Sequence, residues 1–171
     1  MRGGAAFLAI LISGGVAVLQ STILGFISIR GVEPDLALIV VVFVANRNGS
    51  MFGQLAGFGA GLVLDIMGTS PLGLYALIFA VIGAVFGATR GKIFVDPVFM
   101  PMLFAIAATL IKGAMGLLLG GLFGIAGLPD AVISSGYALE LGFTAVLCPV
   151  VFGILRLVGP LQPERRRGEG F

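Results

Sequence analysis

Four charged residues stand within long apolar stretches of the sequence and are the first candidates for chemistry: Asp35, Asp65, Lys112 and Glu140. Two aspartates that share a proton can act as the dyad of an aspartyl protease. A lysine that faces a glutamate can relay protons in a transporter. Each of the four can instead be structural, as a helix cap or an ion-pair partner, because a charge removed from water needs a compensating group. Their roles therefore depend on the elements that position them.

The composition indicates that lipid surrounds those elements. The chain has 171 residues, of which 58% are hydrophobic and only 11% are charged, and its mean hydropathy is +1.16. Soluble domains usually carry about 25% charged residues. A soluble protein of this size has too large a surface fraction to hide so many apolar side chains from water. We therefore expect an integral membrane protein.

Several classes of chemistry are excluded by residue types that are missing. The sequence has no His, which removes His-dependent triads, His-ligated metal sites and imidazole proton switches. Its one Cys, Cys148, allows no intramolecular disulfide and no thiolate zinc site. The sequence contains no phosphate-binding glycine loop, and its basic residues follow membrane topology rather than forming a nucleic-acid patch. We expect no catalytic residue, cofactor, metal or bound nucleic acid.

Six apolar segments are candidates to cross a bilayer, whose core of about 30 Å needs roughly 20 helical residues. They lie at about 4–27, 33–46, 50–67, 72–89, 98–126 and 133–158, and a basic tail covers 160–171. The first has a longer apolar run than the roughly 7–15 residues of a signal peptide, so we expect an uncleaved helix. The second and third are short for a crossing. The sequence predicts an all-α integral membrane protein, a single six-transmembrane-helix bundle over residues 1–159.

The positive residues predict the orientation of this bundle, because Lys and Arg accumulate in cytoplasmic loops. With six spans and a cytoplasmic N-terminus, the outer segments carry only Arg30, and Lys112 lies within a span. All the other basic residues then fall on the inner side: Arg2, Arg47, Arg90, Lys92, Arg156, Arg165, Arg166 and Arg167. We expect both termini in the cytoplasm.

The two aspartates invite different interpretations. Asp35 follows Pro34 at the outer start of span two, where an acid favours the positive end of the helix dipole, so we interpret it as a structural cap. Asp65 lies near the C-terminal end of span three, where the dipole disfavours an anion. Its candidate partners are Arg30 and the donors of the turn at 69–71, in which Ser70 could itself cap span four. A binding or partner-facing role for Asp65 stays open.

Lys112 and Glu140 are predicted to form an ion pair. Counted inward from the outer loop, they lie roughly 15 and 10 residues deep, or about 7 Å apart in depth. A flexible lysine stem can cover that distance. We interpret the pair as structural, with a proton relay as the alternative.

Glycines at four-residue spacing mark helix surfaces that can approach another helix closely. Gly53, Gly57 and Gly61 form such a stripe on span three. Small residues at this spacing drive helix association in lipid, where hydrophobicity does not. The stripe indicates internal packing, and docking of a partner's helix is the alternative.

The order and spacing of several short motifs in residues 20–75 resemble a known family. Gln20-Ser21-Thr22 ends span one, and Pro34-Asp35-Leu36 opens span two. Gly57, Gly61, Leu64 and Asp65 follow, and then the run from Ser70 to Leu74. This pattern resembles the bacterial rod shape-determining protein family MreD, with which the length, six spans and short basic tail agree.

The resemblance implies a non-enzymatic subunit of the cell-elongation machinery in the bacterial inner membrane. MreD-like proteins bind the membrane-anchored MreC and act with MreB, RodA and a class B penicillin-binding protein to direct lateral peptidoglycan synthesis and cell shape. The family fold is thought to resemble the S components of energy-coupling-factor transporters. The family offers no catalytic residues, and Asp35 and Asp65 match its recurrent positions without a defined role.

Three other functions are compatible with parts of the sequence. A vitamin-binding S component would need aromatic and hydrogen-bonding groups under lid loops, whereas this chain has no Trp, two Tyr and short outer loops. An intramembrane aspartyl peptidase would use Asp35 and Asp65 as a dyad. A proton-coupled transporter would use Lys112 and Glu140, although the sequence shows no inverted repeat.

Overall fold

The computed structural model describes residues 13–16, 18, 20, 32–68, 70–90, 98–125 and 132–157. The regular elements of this part of the chain are helices. Five are continuous: α1 (Leu36–Asn48), α2 (Ser50–Met67), α3 (Leu74–Ala88), α4 (Phe99–Phe123) and α5 (Ser135–Leu157). Residues 13–16, 18 and 20, from the predicted first span, are also helical. The rest of that span, the tail at 160–171 and Arg30 lie outside the described residues.

Helix α1 forms the centre of the bundle. Every residue from Ala37 to Asn46 is buried, and the helix packs against α2, α3, α4 and α5. Its sequence from Leu36 to Ala45 is apolar on all sides, which is the pattern of a helix enclosed by protein or lipid on every face. The ring of Phe43 meets that of Phe152 edge-on at 5.0 Å, which joins α1 to α5. The shortest of the five helices is therefore the one that the others surround.

Helices α2 and α3 form a tightly packed antiparallel pair. A β-carbon at Gly53, Gly57 or Gly61 would overlap the backbone of α3 at Gly83, Phe79 or Tyr75, respectively. The converse holds at Gly87 of α3, where a β-carbon would overlap the backbone of Ser50. Such contact between two backbones is possible only where side chains are absent. At the same interface, the hydroxyl of Ser50 donates to the carbonyl oxygen of Ala84 at 2.8 Å.

Helices α4 and α5 pack against each other and complete the enclosure of α1. A β-carbon at Gly113 would overlap the ring of Tyr137, so this glycine makes room for the tyrosine. Helix α4 also meets α3 through Phe86 and Phe104, whose ring centroids lie 5.4 Å apart. Pro149 lies inside α5, where it removes one backbone hydrogen bond of the helix.

Three of the described helices, α2, α4 and α5, are long and apolar enough to cross a bilayer, whereas α1 and α3 are shorter apolar helices. Helix α1 begins at Leu36, three residues after the predicted start of span two at 33. Asp35 is its N-cap, and Pro34 before it has no backbone N–H to donate. Helix α3 begins at Leu74, where Gly73 adopts a left-handed conformation with φ of 96°. These observations show an all-helical protein of multi-pass membrane character.

Candidate functional site

Lys112 joins three helices through two ion pairs. Its Nζ on α4 lies 2.6 Å from Oδ2 of Asp35, at the start of α1, and 2.6 Å from Oε1 of Glu140 on α5. The three side chains are 16%, 4% and 21% exposed, respectively, so the network is largely enclosed. We call these three residues the charged triad. The triad contains one ammonium and two carboxylates. Its formal charge is therefore −1.

The contact between Lys112 and Glu140 agrees with the prediction from their depths in the membrane, which differ by about 7 Å. The sequence does not predict the contact between Lys112 and Asp35, because the position of Asp35 after Pro34 indicates a helix cap. The structure gives it both roles, one for each carboxylate oxygen. Oδ1 of Asp35 accepts the backbone N–H of Leu38 at 2.9 Å, and Oδ2 binds the lysine.

The first turn of α1 has further side-chain partners from distant parts of the chain. The N–H of Ala37 donates to Oε1 of Gln20 at 2.8 Å, and the N–H of Asp35 donates to Oγ1 of Thr144 at 3.1 Å. The first N–H groups of any helix lack partners within that helix. Here the helix starts inside the bundle, and side chains of the first span and of α5 accept two of these N–H groups.

Two tyrosines border the charged triad. Nζ of Lys112 lies 5.9 Å from the centroid of the Tyr75 ring, which is within the range of a cation–π contact. The hydroxyl of Tyr137 donates to the carbonyl oxygen of Thr109, which ties α5 to α4 one turn before Lys112. Both tyrosines also line a smaller pocket together with Lys112 and Glu140.

A pocket of about 350 Å³ opens beside the charged triad, and we call it the outer pocket. Its lining is mostly polar and contains Gln20, Glu33, Asp35, Lys112, Ser134, Tyr137 and Glu140. Three of these residues are acidic and one is basic, so the outer pocket favours positive charge. Nowhere in the described ranges do three or more His, Cys, Asp or Glu side chains gather in a way that could hold a metal ion.

Asp65 is buried and caps the start of α3 from the end of α2. Its Oδ2 accepts the N–H groups of Gly73 at 2.9 Å and Ala76 at 3.1 Å, and its Oδ1 accepts that of Tyr75 at 3.0 Å. Its carboxylate therefore lies at the positive end of a neighbouring helix dipole. The negative charge of Asp65 is unfavourable at the C-terminal end of α2, its own helix. The N-terminal end of α3 stabilises that charge instead.

The turn predicted to supply partners for Asp65 does so in a different way. The hydroxyl of Ser70 donates to Oδ1 of Asp65 at 3.4 Å, so Ser70 supports the cap of α3 and is not the cap itself. Backbone N–H groups are the main donors to this carboxylate. The other candidate partner, Arg30, is outside the described residues.

The glycine stripe of α2 faces α3. Gly53, Gly57 and Gly61 are all buried against backbone atoms of that helix. Their surface is therefore occupied within the chain, which agrees with internal packing and leaves no room there for a partner's helix.

The sequence did not predict a place at the site for several residues, among them Gln20, Glu33, Tyr75, Tyr137 and Thr144. A polar signal existed for Gln20, which stands at the end of an otherwise apolar segment. Thr144 and Tyr137 carried no such signal, because a single hydroxyl within an apolar helix usually bonds to its own helix backbone. Only the packing of α5 against α1 and α4 brings them to the site.

Comparisons with known proteins agree with this architecture. The family model of the rod shape-determining protein MreD matches residues 1–158 of the chain. Searches among curated proteins and among solved structures returned no match, so the expected likeness to S components has no support. The family acts in cell shape within the rod complex, and the apolar helices fit a multi-pass protein of the bacterial inner membrane. The chain belongs to the MreD family of rod shape-determining proteins.

Proposed function

We propose that this chain is a non-enzymatic membrane subunit of the rod complex, which binds an MreC-like membrane protein and helps to direct lateral peptidoglycan synthesis and cell shape. The observation that carries the proposal is the family match over residues 1–158. Contacts with MreB, RodA and a class B penicillin-binding protein would be direct or would pass through the MreC-like partner.

The geometry of the charged residues supports an assembly role over catalysis. Asp35 and Asp65 bind separate sets of donors, at the starts of α1 and α3, respectively. A shared-proton dyad requires two carboxylates in direct contact. Each aspartate instead holds two helices together, which is what a rigid platform for other proteins requires.

We also propose that the chain spans the membrane six times with both termini in the cytoplasm. Three arginines at or near helix ends support this orientation. Arg90 donates to the carbonyl oxygen of Asn48 at 3.2 Å, and Arg47 lies within electrostatic range of Arg156, so all three arginines lie at one end of the bundle. That end would face the cytoplasm. The charged triad and Asp65 would then lie toward the outer side.

The test is a pull-down of the full chain in mild detergent from cells that contain its natural partners. We expect an MreC-like protein to copurify, and an unrelated six-span protein carrying the same tag serves as the control. Recovery of an ATPase with a coupling subunit would contradict the proposal and indicate a transporter. In parallel, the gene should restore rod shape to cells that lack their own MreD, as measured by cell width and length.

A further inference from the structure

Helix α5 presents an open apolar groove on the outside of the bundle. A cavity of about 270 Å³ is lined by Val32, Ala138, Leu139, Gly142, Phe143 and Val146, which we call the α5 groove. A β-carbon added to Gly142 would meet no atom within 4 Å, so the floor of the groove is open at its middle. Ala138 and Gly142 are spaced by four residues and allow a second helix backbone to approach closely.

The α5 groove runs directly into the outer pocket. Val32 lines both, and Ala138 and Leu139 of the groove lie between Tyr137 and Glu140 of the pocket along α5. A ligand that fills both must therefore be apolar over its membrane-embedded length and polar at its outer end.

The charge of the outer pocket specifies that polar end. Asp35 and Glu140 already share the ammonium of Lys112. Glu33 also lines the pocket, is partly exposed, and makes no hydrogen bond or ion pair with any residue that the structure describes. A positive group is the natural complement of this carboxylate, whereas the phosphate of an anionic lipid would be repelled.

We infer that the α5 groove and the outer pocket together receive the membrane-spanning helix of the MreC-like partner, with a Lys or Arg near the outer end of that helix against Glu33. The inference rests on the proposed function and deepens it, because it names the surface at which the partner docks. A helix is the occupant that the floor favours, because the small residues Ala138 and Gly142 let a second helix backbone approach closely. From Ala138 to Val146 the groove extends for roughly 12 Å, or about two helical turns.

Photo-crosslinking in intact membranes tests where the partner lies. A photoreactive amino acid replaces Leu139 or Val146 in the groove, and Leu118 or Leu122, which are exposed on α4, serve as matched controls. We expect the partner to be crosslinked from the groove positions and not from the controls. Equal yields from both faces, or crosslinks from the groove to lipid alone, would overturn the inference.

Two substitutions test the shape and the charge separately. Gly142→Leu should reduce copurification of the partner about fivefold or more, whereas Gly121→Leu, at an equally open glycine on α4, should not. Glu33→Lys should reduce it about fivefold and Glu33→Gln less. Changing the basic residue of the partner to Glu should then restore binding to the Glu33→Lys variant. Unchanged copurification with both Gly142→Leu and Glu33→Lys would overturn the inference.

The two proposals fail in different ways. If no MreC-like protein copurifies with the unaltered chain, the proposed function fails and the docking surface fails with it. If the partner copurifies but crosslinks only through α4, the proposed function stands and the docking surface alone is wrong.

Discussion

Nζ of Lys112 lies 2.6 Å from Oδ2 of Asp35, while the other oxygen of that carboxylate accepts the N–H of Leu38 at 2.9 Å. The side chain of Asp35 thus caps the central helix and forms one of the two ion pairs of the Lys112 ammonium. Removing it would leave α1 without its cap and Lys112 with a single partner. The contact adds an ion pair to the packing between α1, which the other helices surround, and α4.

The dual role of Asp35 predicts that its substitutions differ. Asp35→Asn keeps an acceptor for the N–H of Leu38 but loses the ion pair, whereas Asp35→Ala loses both. We expect the alanine variant to be less stable than the asparagine variant by about 1 kcal/mol, the usual contribution of a helix cap. The measurement is thermal unfolding in mild detergent. Equal destabilisation by the two would show that the cap contributes nothing.

Neutralising the whole charged triad should be milder than removing its lysine. Lys112→Met leaves Asp35 and Glu140 enclosed without their cation, and we expect a loss of about 3 kcal/mol. Adding Asp35→Asn and Glu140→Gln to Lys112→Met should recover part of that loss, because no uncompensated charge is left in the site. Unfolding curves of the single and triple variants provide the comparison. A triple variant less stable than Lys112→Met would contradict the assignment of these residues as one network.

Gly57 should not tolerate a side chain. Its β-carbon would overlap the backbone of Phe79, so Gly57→Leu must separate α2 from α3, and we expect a loss of about 3 kcal/mol or more. Gly121→Leu is the matched control, since that glycine has open space around it. The melting temperature in detergent reports both variants. Unchanged stability of Gly57→Leu would count against the close contact between these helices.

Loss of the Asp65 carboxylate should loosen the start of α3. Three backbone N–H groups, those of Gly73, Tyr75 and Ala76, depend on it. Asp65→Ala should therefore increase hydrogen exchange at these amides and destabilise the protein by about 2 kcal/mol. Asp65→Asn should have an intermediate effect, because its amide oxygen still accepts. Unchanged exchange at these three amides would contradict the capping role.

The proposed orientation predicts opposite labelling of two exposed positions. Met51 lies in the first turn of α2 and is 72% exposed, and Leu72 precedes α3 and is 75% exposed. In a Cys148→Ala background, Leu72→Cys should react with a membrane-impermeant maleimide in intact spheroplasts. Met51→Cys should react only after the membrane is permeabilised. The reverse pattern would invert the topology.

The sequence predicted interactions that depend on depth and missed those that depend on which helices are neighbours. The Lys112–Glu140 contact could be predicted because counting residues from the outer loop gives the depth of each side chain in the membrane. The sequence places Asp65 at the unfavourable end of its own helix dipole, whereas its carboxylate binds backbone N–H groups at the start of α3. The central location of α1 was not predictable either, since an apolar helix without a polar stripe fits lipid and protein surroundings equally well.

The partners of Asp35 lie far along the chain, and this distance has a consequence for synthesis. Lys112 follows Asp35 by 77 residues, and Thr144 follows it by 109 residues. At about 5–20 residues per second, the aspartate leaves the ribosome roughly 4–15 seconds before its lysine. During that interval it lacks the lysine that it binds in the folded protein. A chain that stops before Lys112 would therefore leave the carboxylate of Asp35 without its cation, and one that stops before Thr144 would leave the backbone N–H of Asp35 without its acceptor.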